Sequence, residues 1–596
     1  MEDLNLVGVC FHTVQNGHHE SIKFPELVEY AKGFNNVAAL WNSEEVILTD
    51  QDKLLQLLQK KNINRIVLAG IHPGFLKPLF SRFFNKLGID PQNITICNFV
   101  EYNVLRDEDI NSAKILLNCA LNSMHINNFI GTKETKVNPD TLVIGGGIAG
   151  IQASLEIANG NQKVYLVEKS GTIGGHMATF DKTFPTLDCA ACILTPKMVE
   201  VGQHKNIDLI TYSEIQDVSG VPGNFKVKIL KKARRVDITK CIGCGTCTEK
   251  CPSKTASEFD AGTTLRKAIY IPFPQAVPNK YLIDAENCTY VQKGKCGVCV
   301  KVCPVENCID LDAKDETIEI NVGNIIVATG FKIFDAKKTE NFGYGKYPNV
   351  VTSLEFERLV NASGPTGGNI HLATIDKKGN RVFTSEGSVP KSLALIHCVG
   401  SRDENHNKYC SRVCCMYSLK LAHLIKEKIP DADVYEYYID MRAFGKGYEE
   451  FYQRIKEEGI KMVRGRTAKI EKNENKLRLR SENILEGKIE EIDVDMVVLA
   501  VGLESTEDNR KIGDLLNIPY AKNGWLKEAN SLDNPSETNE PGIFLAGTCQ
   551  GPKDIPDTVA QASAAASHVL RSILSDTTTQ HLKNLNYKEI ENIIAQ

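Results

Sequence analysis

The cysteines constrain this chain more than any other feature, because most of its 19 cysteines lie in short clusters. The clusters occupy residues 189–192, 241–251, 288–308 and 398–415. A secreted disulfide-rich domain is usually short, whereas this chain has 596 residues. Clustered thiols in a chain of this size indicate metal or redox centres. The pattern therefore favours an electron-transfer protein that works in a reducing compartment.

The first dense cluster has the spacing C-x2-C-x2-C-x3-C-P. Its members are Cys241, Cys244, Cys247 and Cys251. Thiolates at this spacing bind a [4Fe-4S] cube, and the fourth cysteine of such a run binds the other cluster of a pair. Zinc is the alternative, because soft thiolates also select zinc. The Cys-Pro ending, which recurs in a second run, favours iron–sulfur clusters.

The second run ends in the same way but begins differently. Its first two cysteines, Cys288 and Cys296, are separated by seven residues, where a two-residue spacing is usual. We therefore expect a small inserted loop over residues 289–295. The predicted ligands are Cys241, Cys244, Cys247 and Cys303 for one cluster, and Cys251, Cys288, Cys296 and Cys299 for the other. Cys308 is left over, and we expect it to be buried as a small apolar side chain.

A further cysteine quartet lies within residues 398–415. Its members are Cys398, Cys410, Cys414 and Cys415, and the last two are neighbours at the start of a predicted helix. Four thiols so close in sequence, two of them adjacent, fit an iron–sulfur cluster better than tetrahedral zinc. Inert or disulfide-bonded cysteines are the remaining alternative. We predict a third [4Fe-4S] cluster at this quartet.

A glycine-rich loop follows an apolar strand at residues 141–144. In its GxGxxG pattern, Gly145 permits a tight turn, Gly147 lets a pyrophosphate approach, and Gly150 lets helix and strand pack closely. The next strand ends in Glu168, which can accept hydrogen bonds from ribose hydroxyls. Motif, strand and acid together predict a dinucleotide site. The candidate ligands of this site are FAD, NAD and a nucleotide sugar.

Small residues elsewhere extend the predicted dinucleotide site. Gly174 and Gly175 closely follow the acid, and two later strands end in Ala328-Thr329-Gly330 and Gly547-Thr548. The set resembles the two-dinucleotide-binding flavoproteins of the thioredoxin and lipoamide reductase type, in which such strands border the flavin, and this resemblance implies FAD. The predicted FAD residues are Gly145, Gly147, Ile148, Ala149, Gly150, Glu168, Lys169, Gly174, Gly175, Ala328, Thr329, Gly330, Gly547 and Thr548. In such proteins a second GxGxxG is expected after the strand at residues 392–399, where this chain carries the cysteine quartet instead.

A CxxC pair, Cys189 and Cys192, follows the FAD motif. A thiol of such a pair at a helix start has a lowered pKa and can form a reversible disulfide. The following segment, residues 192–197, resembles the active-site thiol region of lipoamide-type reductases. The pair can equally supply two ligands to a further cluster, or be structural. The sequence leaves the first two roles open.

Composition excludes several classes of protein. The formal net charge is −4, which argues against a nucleic-acid binder with its basic surface. No apolar run approaches the ~18–20 residues that span a bilayer. The N-terminus lacks the basic and apolar regions of a signal peptide. We therefore expect a cytoplasmic protein.

Alternating apolar strands and amphipathic helices predict an α/β fold. The expected architecture is a thioredoxin-reductase-like flavoprotein with an inserted two-cluster ferredoxin domain and an N-terminal α/β domain. The predicted segments are an N-terminal α/β domain at 1–135, FAD-binding parts at 140–232, 310–390 and 491–575, the ferredoxin insertion at 233–309, a degenerate NAD-binding-like domain at 391–490, and a tail at 576–596.

The order of these motifs resembles the heterodisulfide reductase A-subunit family over about residues 141–566. The resemblance rests on the FAD motif, the segment 184–189, the inserted ferredoxin, and the segments 398–402, 409–415 and 551–556. It implies FAD, several [4Fe-4S] clusters and flavin-based electron bifurcation. It also implies that Lys420 lies near the flavin N5. The implied partners are B- and C-like subunits, an electron-donating dehydrogenase or hydrogenase module, and ferredoxin, with a dimer inside a larger complex.

Two departures from this family stand out. The N-terminal domain of the family carries a cluster, but here only Cys10 fits its pattern and His12 stands where another cysteine is expected. Cys97 and Cys119 are not obviously placed to substitute, so we predict that this domain has lost its cluster. No second ferredoxin motif follows at the C-terminal end, so an exit to ferredoxin there is expected to lie on a partner subunit or to be missing.

Two other functions compete with an electron-transferring flavoenzyme component. In one, the flavin does not change its redox state and the clusters only carry electrons between partner proteins. In the other, the chain is a stand-alone NAD(P)H-dependent disulfide reductase.

Overall fold

The computed structural model describes residues 6–12, 24–89, 91–102, 104, 110–126, 132–377 and 379–581. The chain forms two compact units. The first contains residues 1–134, 530–534 and 579–596, and the second contains residues 135–529 and 535–578. No helix within these described ranges is long and apolar enough to span a bilayer. Most of the predicted tail, residues 582–596, lies outside the described residues.

The first unit contains a four-stranded parallel sheet of order β2-β1-β3-β4. Its elements are β1 (Leu6–His12), α1 (Phe24–Lys32), β2 (Val37–Asn42), α2 (Ser43–Leu48), α3 (Gln51–Lys60), β3 (Ile63–Gly70), α4 (Lys77–Leu87), β4 (Ile94–Asn98), α5 (Ile110–Ile126) and β5 (Thr132–Lys136). Alternate side chains of β1 enter two separate cores, because Val9 packs with α1 and α5 while Cys10 packs with α3 and α4. Helices therefore cover both faces of the sheet, as the predicted N-terminal α/β domain requires.

The second unit is longer and begins with the FAD motif. Up to the end of the cysteine-rich insertion it contains β6 (Thr141–Ile144), α6 (Ile148–Asn159), β7 (Val164–Glu168), α7 (Ala190–Gln203), β8 (Ile207–Thr211), β9 (Ser213–Val221), β10 (Asn224–Lys231), α8 (Thr246–Lys250), β11 (Lys254–Ala256), β12 (Leu265–Lys267), β13 (Ile269–Tyr270), β14 (Leu282–Ile283), α9 (Thr289–Lys293) and α10 (Val298–Val302). It continues with β15 (Glu316–Val322), β16 (Asn324–Val327), β17 (Lys332–Ile333), β18 (Val350–Thr352), α11 (Ser353–Val360), β19 (Thr374–Ile375), β20 (Arg381–Val382), β21 (Ser392–Val399), α12 (Cys414–Lys428), β22 (Asp433–Tyr438), α13 (Tyr448–Glu457), β23 (Lys461–Arg464), β24 (Thr467–Asn473), β25 (Lys476–Asn483), β26 (Lys488–Val494), β27 (Met496–Val501), β28 (Leu503–Glu504), α14 (Glu507–Leu516), β29 (Ile543–Leu545), α15 (Ile555–Leu574) and β30 (Thr577–His581).

Two five-stranded parallel sheets dominate this unit. One has the order β29-β16-β6-β7-β8 and the other the order β18-β27-β21-β22-β23. Each is accompanied by a three-stranded antiparallel sheet, β15-β10-β9 and β24-β25-β26 respectively. The same architecture thus occurs twice, and the predicted two-dinucleotide-binding fold is confirmed.

The cysteine-rich insertion leaves the first half after β10 and returns at β15, and these two strands are hydrogen-bonded neighbours. An insertion between adjacent strand ends leaves the host sheets intact. Inside it, α8 and α10 pack against each other, and both begin within a cysteine run. The loop predicted over residues 289–295 is mostly the short helix α9, with Cys288 at its N-cap position and Gly294 closing it in a left-handed conformation.

Candidate functional site

A cavity of about 760 Å³ opens beside the loop that joins β6 to α6. Its wall includes twelve of the predicted FAD residues, namely Gly145, Gly147, Ile148, Ala149, Glu168, Lys169, Gly174, Gly175, Ala328, Thr329, Gly330 and Thr548. Gly150 and Gly547 do not line it. The cavity lies at the carboxyl ends of parallel strands, where α/β sheets bind ligands.

The three glycines of the loop differ in what a side chain would meet. At Gly145, where φ is +107°, a Cβ would lie 2.4 Å from the carbonyl oxygen of Ala328. At Gly150 it would lie 1.8 Å from the carbonyl oxygen of Gly145. At Gly147 it would meet no atom within 4 Å, and this residue lines the cavity at the N-terminus of α6. The space in front of Gly147 therefore fits a pyrophosphate held by the helix N-terminus.

Glu168 ends β7 and is held firmly. Its Oε2 accepts a hydrogen bond from the backbone N–H of Gly146 at 2.6 Å, and its Oε1 accepts one from the N–H of Ser170 at 2.7 Å. Burial raises the pKa of this carboxyl, and the two backbone donors oppose the rise. Each oxygen keeps lone-pair capacity for a ribose hydroxyl.

Lys420 on α12 lines the same cavity and is 3% exposed. Its Nζ donates to both carboxylate oxygens of Glu357 at 2.7 Å and to the carbonyl oxygen of Lys182 at 3.0 Å. Glu357, on α11, is also buried. The wall of the FAD cavity thus contains a fully paired ammonium group. An unpaired charge at this depth would cost several kcal/mol.

Two smaller cavities lie in the cysteine-rich insertion. One is lined by Cys241, Cys244, Cys247 and Cys303. The other is lined by Cys251, Cys288, Cys296 and Cys299. The sequence predicts that the last cysteine of each run binds the cluster of the other run. The structure brings together these same two quartets. Cys308 is buried in the wall of the first cavity, and burial raises the pKa of its thiol to about 11.

These quartets fit iron–sulfur cubes. A cube separates its four thiolates more widely than a single tetrahedral ion does. Each quartet lines one small cavity, and thiolates are the ligands that iron–sulfur clusters take.

The third cysteine quartet lies at the carboxyl end of β21 and the start of α12. Cys398, with φ at +59°, is followed by a long loop that contains the half-buried Cys410. Cys414 and Cys415 are the first two residues of α12 and are buried. Hydrogen bonding from Cys414 lowers the pKa of Cys415 and of Cys398. Thiolates are the form that binds metal.

Cys189 and Cys192 form a disulfide at the N-terminus of α7. The backbone N–H of Cys192 also donates to the Sγ of Cys189 at 3.2 Å. Both residues are exposed, and neither lines the FAD cavity. The structure thus shows a disulfide that is reached from solvent.

In the N-terminal unit, Cys10 is fully buried in the sheet, and burial raises the pKa of its thiol to about 12. The Nδ1 of His12 lies 2.8 Å from the Oγ of Ser43. Burial likewise raises the pKa of Cys97 to about 12, while Cys119 is exposed. The thiols of Cys10 and Cys97 are held in the protonated form, and loss of the cluster from this domain stays a prediction.

Several wall residues of the FAD cavity escaped sequence reasoning. They include Glu357, Tyr417, Lys553 and, from the insertion, Arg266 and Tyr270. None belongs to a spacing motif for dinucleotides. Only the family resemblance points to segment 551–556, which contains Lys553, and the other four residues reach the cavity through tertiary packing alone.

Three parts of the chain match known families. Residues 140–185 match the family described as FAD dependent oxidoreductase, residues 240–308 match the 4Fe-4S dicluster domain, and residues 436–566 match the pyridine nucleotide-disulphide oxidoreductase family. Together with the cavities, these matches define an oxidoreductase that carries FAD and [4Fe-4S] clusters.

Relatives identify the family more closely. The chain is 46% identical over 518 residues to the A-subunit of the H(2):CoB-CoM heterodisulfide,ferredoxin reductase of Methanothermobacter thermautotrophicus, which covers 86% of this chain and 76% of that relative. It is 44% identical over 562 residues to an iron-sulfur A-subunit of the CoB--CoM heterodisulfide reductase of Methanopyrus kandleri, covering 92% and 82%. The chain belongs to the heterodisulfide reductase A-subunit family, as its motifs predicted.

Solved structures with similar chains include thioredoxin reductases. That of Lactococcus lactis is 15% identical and has a TM-score of 0.40, with 73% of this chain and 99% of that chain covered.

A Gly147→Ala substitution tests the pyrophosphate position. We expect the flavin-free protein to keep its thermal stability, because the new Cβ meets no protein atom. FAD binding should weaken by about tenfold or more, since the methyl group enters space that the phosphate needs. Flavin content per chain and thermal unfolding measure the two effects.

Gly551→Ala is the matched control, because a Cβ at Gly551 also meets no atom within 4 Å and this residue does not line the cavity. Wild-type flavin content in the Gly147 variant would contradict the assignment.

A Cys303→Ala substitution tests the exchange of ligands between the two runs. We expect it to remove the cluster bounded by Cys241, Cys244 and Cys247, with a loss of about four iron atoms per chain. Iron and sulfide analysis and EPR spectroscopy of anaerobic protein measure the loss. Cys308→Ala is the control, since Cys308 lines the same cavity but is not a predicted ligand. Equal iron in both variants would refute the exchanged ligand set.

Proposed function

We propose that this chain passes electrons between FAD and [4Fe-4S] clusters as one subunit of a heterodisulfide-reductase-type complex. One observation carries the proposal. The glycine loop follows β6, the middle strand of the first parallel sheet, and the cysteine quartet follows β21, the middle strand of the second. The quartet therefore occupies the position at which a pyridine nucleotide would meet its phosphate-binding loop.

Electrons then enter and leave the flavin through iron rather than by hydride transfer from a nicotinamide. FAD, when bound, supplies an exchange between two-electron and one-electron chemistry. The chain contributes thiolate ligands, burial and hydrogen bonds, which are the factors that set the reduction potentials of the clusters. Electron bifurcation is compatible with this arrangement and is part of the proposal.

Lys420 is the residue that we propose to contact the reactive part of the flavin. It lines the cavity, and Glu357 and the carbonyl of Lys182 hold its Nζ in place. A fixed ammonium group beside the flavin would stabilise negative charge on the reduced ring. Cys189 and Cys192 are proposed as a redox-active disulfide that exchanges with a partner at the surface, because both are exposed.

The relatives suggest the partners. The Methanothermobacter relative is named as part of a hydrogen:CoB-CoM heterodisulfide,ferredoxin reductase, and one from Methanococcus maripaludis is named with hydrogen or formate. We propose B- and C-like subunits, a hydrogenase or dehydrogenase module as electron donor, and ferredoxin as an acceptor. A dimer within a larger cytoplasmic complex completes the proposal.

Anaerobic photoreduction of the purified chain tests this function. We expect flavin absorbance to bleach while EPR signals of reduced clusters appear, because the two centres exchange electrons. NADH added in the dark should leave the flavin oxidised, since the second glycine loop is absent from the sequence.

Two outcomes would overturn the proposal. Clusters that are reduced while the flavin stays oxidised would indicate that the chain only carries electrons between partners and that its flavin takes no part. Rapid bleaching by NADH alone would indicate a pyridine-nucleotide-dependent reductase.

A further inference from the structure

The cysteine-rich insertion does more than hold clusters, because part of it lines the FAD cavity. The lining residues from this domain include Ser257, Phe259, Arg266, Tyr270 and Phe273. They come from the segment around the β11–β12 hairpin and the chain that follows it. The insertion therefore contributes part of the cavity wall, together with the flavin-binding segments and the half that contains α12.

One short strand separates this cavity from the second cluster site. Ile269 of β13 lines the cavity bounded by Cys251 and Cys299, whereas the next residue, Tyr270, lines the FAD cavity. Successive side chains of a strand point to opposite sides, so β13 presents one face to each site. The Nζ of Lys267 also donates to the carbonyl oxygen of Cys251, which ties β12 to a predicted cluster ligand.

Arg266 and Tyr270 form a rigid flat surface on this wall. The guanidinium carbon of Arg266 lies 3.8 Å from the centroid of the Tyr270 ring. The Nη2 of Arg266 is paired with Asp284 at 2.9 Å and also with Glu258. The side chain of Arg266 is 12% exposed. Because its partners fix the guanidinium plane, little side-chain entropy is left to lose when a ligand binds.

This surface lies at the end of the cavity next to Glu168. The loop after Glu168 is tied to the insertion by Arg234, whose Nη2 donates to the carbonyl oxygen of Gly171 at 2.7 Å. The backbone N–H of Ile283, on β14, donates to the carbonyl oxygen of Arg234 at 3.1 Å, and Tyr270 is paired with Leu282 of the same strand.

A second tie supports this position. The backbone N–H of Ile173 donates to the carbonyl oxygen of Val277 at 3.1 Å, and the N–H of Val277 donates to the Oγ1 of Thr172 at 2.9 Å. Tyr212, which also lines the cavity, donates its backbone N–H to the carbonyl oxygen of Ser170 at 2.7 Å. Since the acid at the end of β7 marks the ribose, the insertion borders the adenosine half of the cavity.

We propose that the ferredoxin insertion supplies the adenosine subsite of the FAD site. Tyr270 and Arg266 provide the flat surface against which the adenine ring stacks, in the way that aromatic rings and guanidinium planes hold bases. The flavin-binding sheet contributes the pyrophosphate and ribose contacts, and the insertion contributes the base contact. This inference rests on the assignment of the 760 Å³ cavity to FAD.

The test compares ligands with and without adenosine on the full chain, purified anaerobically and freed of flavin. Equilibrium dialysis measures the dissociation constants of FAD, ADP and FMN. Tyr270→Leu and Arg266→Ala should weaken FAD and ADP by about tenfold, the scale of one base-stacking contact. FMN should bind as in the wild type, because it lacks the adenosine half.

Two control variants accompany these. Lys254→Ala removes an exposed side chain from β11 in the same hairpin and should leave all three ligands unchanged. Tyr270→Phe keeps the ring and should restore FAD and ADP binding. Iron and sulfide are measured in every variant. A loss of ADP binding in Tyr270→Leu with wild-type iron separates base contact from damage to the cluster domain.

The outcomes are distinct for the two assignments. Wild-type protein that binds neither FAD nor ADP would remove the FAD assignment itself. Wild-type protein that binds FAD, with Tyr270→Leu and Arg266→Ala binding FAD and ADP equally well, would overturn the adenosine subsite alone. Equal weakening of FMN, FAD and ADP would also overturn it, since it would indicate a general distortion of the cavity.

Discussion

The placement of negative charge at two helix N-termini is the constraint on which the rest of this structure depends. In the first parallel sheet, α6 begins directly after the glycine loop, so its N-terminus faces the space for a pyrophosphate. In the second sheet, α12 begins at Cys414 and Cys415. The helix dipole that stabilises a phosphate also favours thiolates. Two similar halves can therefore hold chemically different cofactors.

The insertion contributes to the FAD cavity without disturbing either parallel sheet. It leaves and returns between the neighbouring strands β10 and β15, which keep their antiparallel pairing. The buried Arg358 of α11 ties the second half to the insertion through an ion pair with Asp260 at 3.1 Å, and to the first flavin-binding segment through a hydrogen bond to the carbonyl oxygen of Thr179. A buried cation with satisfied partners is costly to separate from them, so these contacts fix the domains of the second unit around one cavity.

The sequence predicts the sites whose residues are close together in the chain. The glycine loop with Glu168, and the two ferredoxin runs, each have a spacing that follows from local geometry, and the structure brings their residues together. The pairing of Lys420 with Glu357 could not be predicted, because it joins two helices through tertiary packing. The same holds for Arg266 and Tyr270. The loop prediction at helix α9 was wrong, although Gly294 is a typical helix-ending signal.

The central claim is that cysteine sulfur has replaced the nicotinamide loop, and anomalous X-ray scattering at the iron edge tests it most directly. Crystals of anaerobically purified protein should show iron between Cys398, Cys410, Cys414 and Cys415, in addition to the two sites in the insertion. Crystals soaked with NADH should show no nucleotide beside β21. Iron-free thiols at this quartet, together with a bound pyridine nucleotide, would contradict the account.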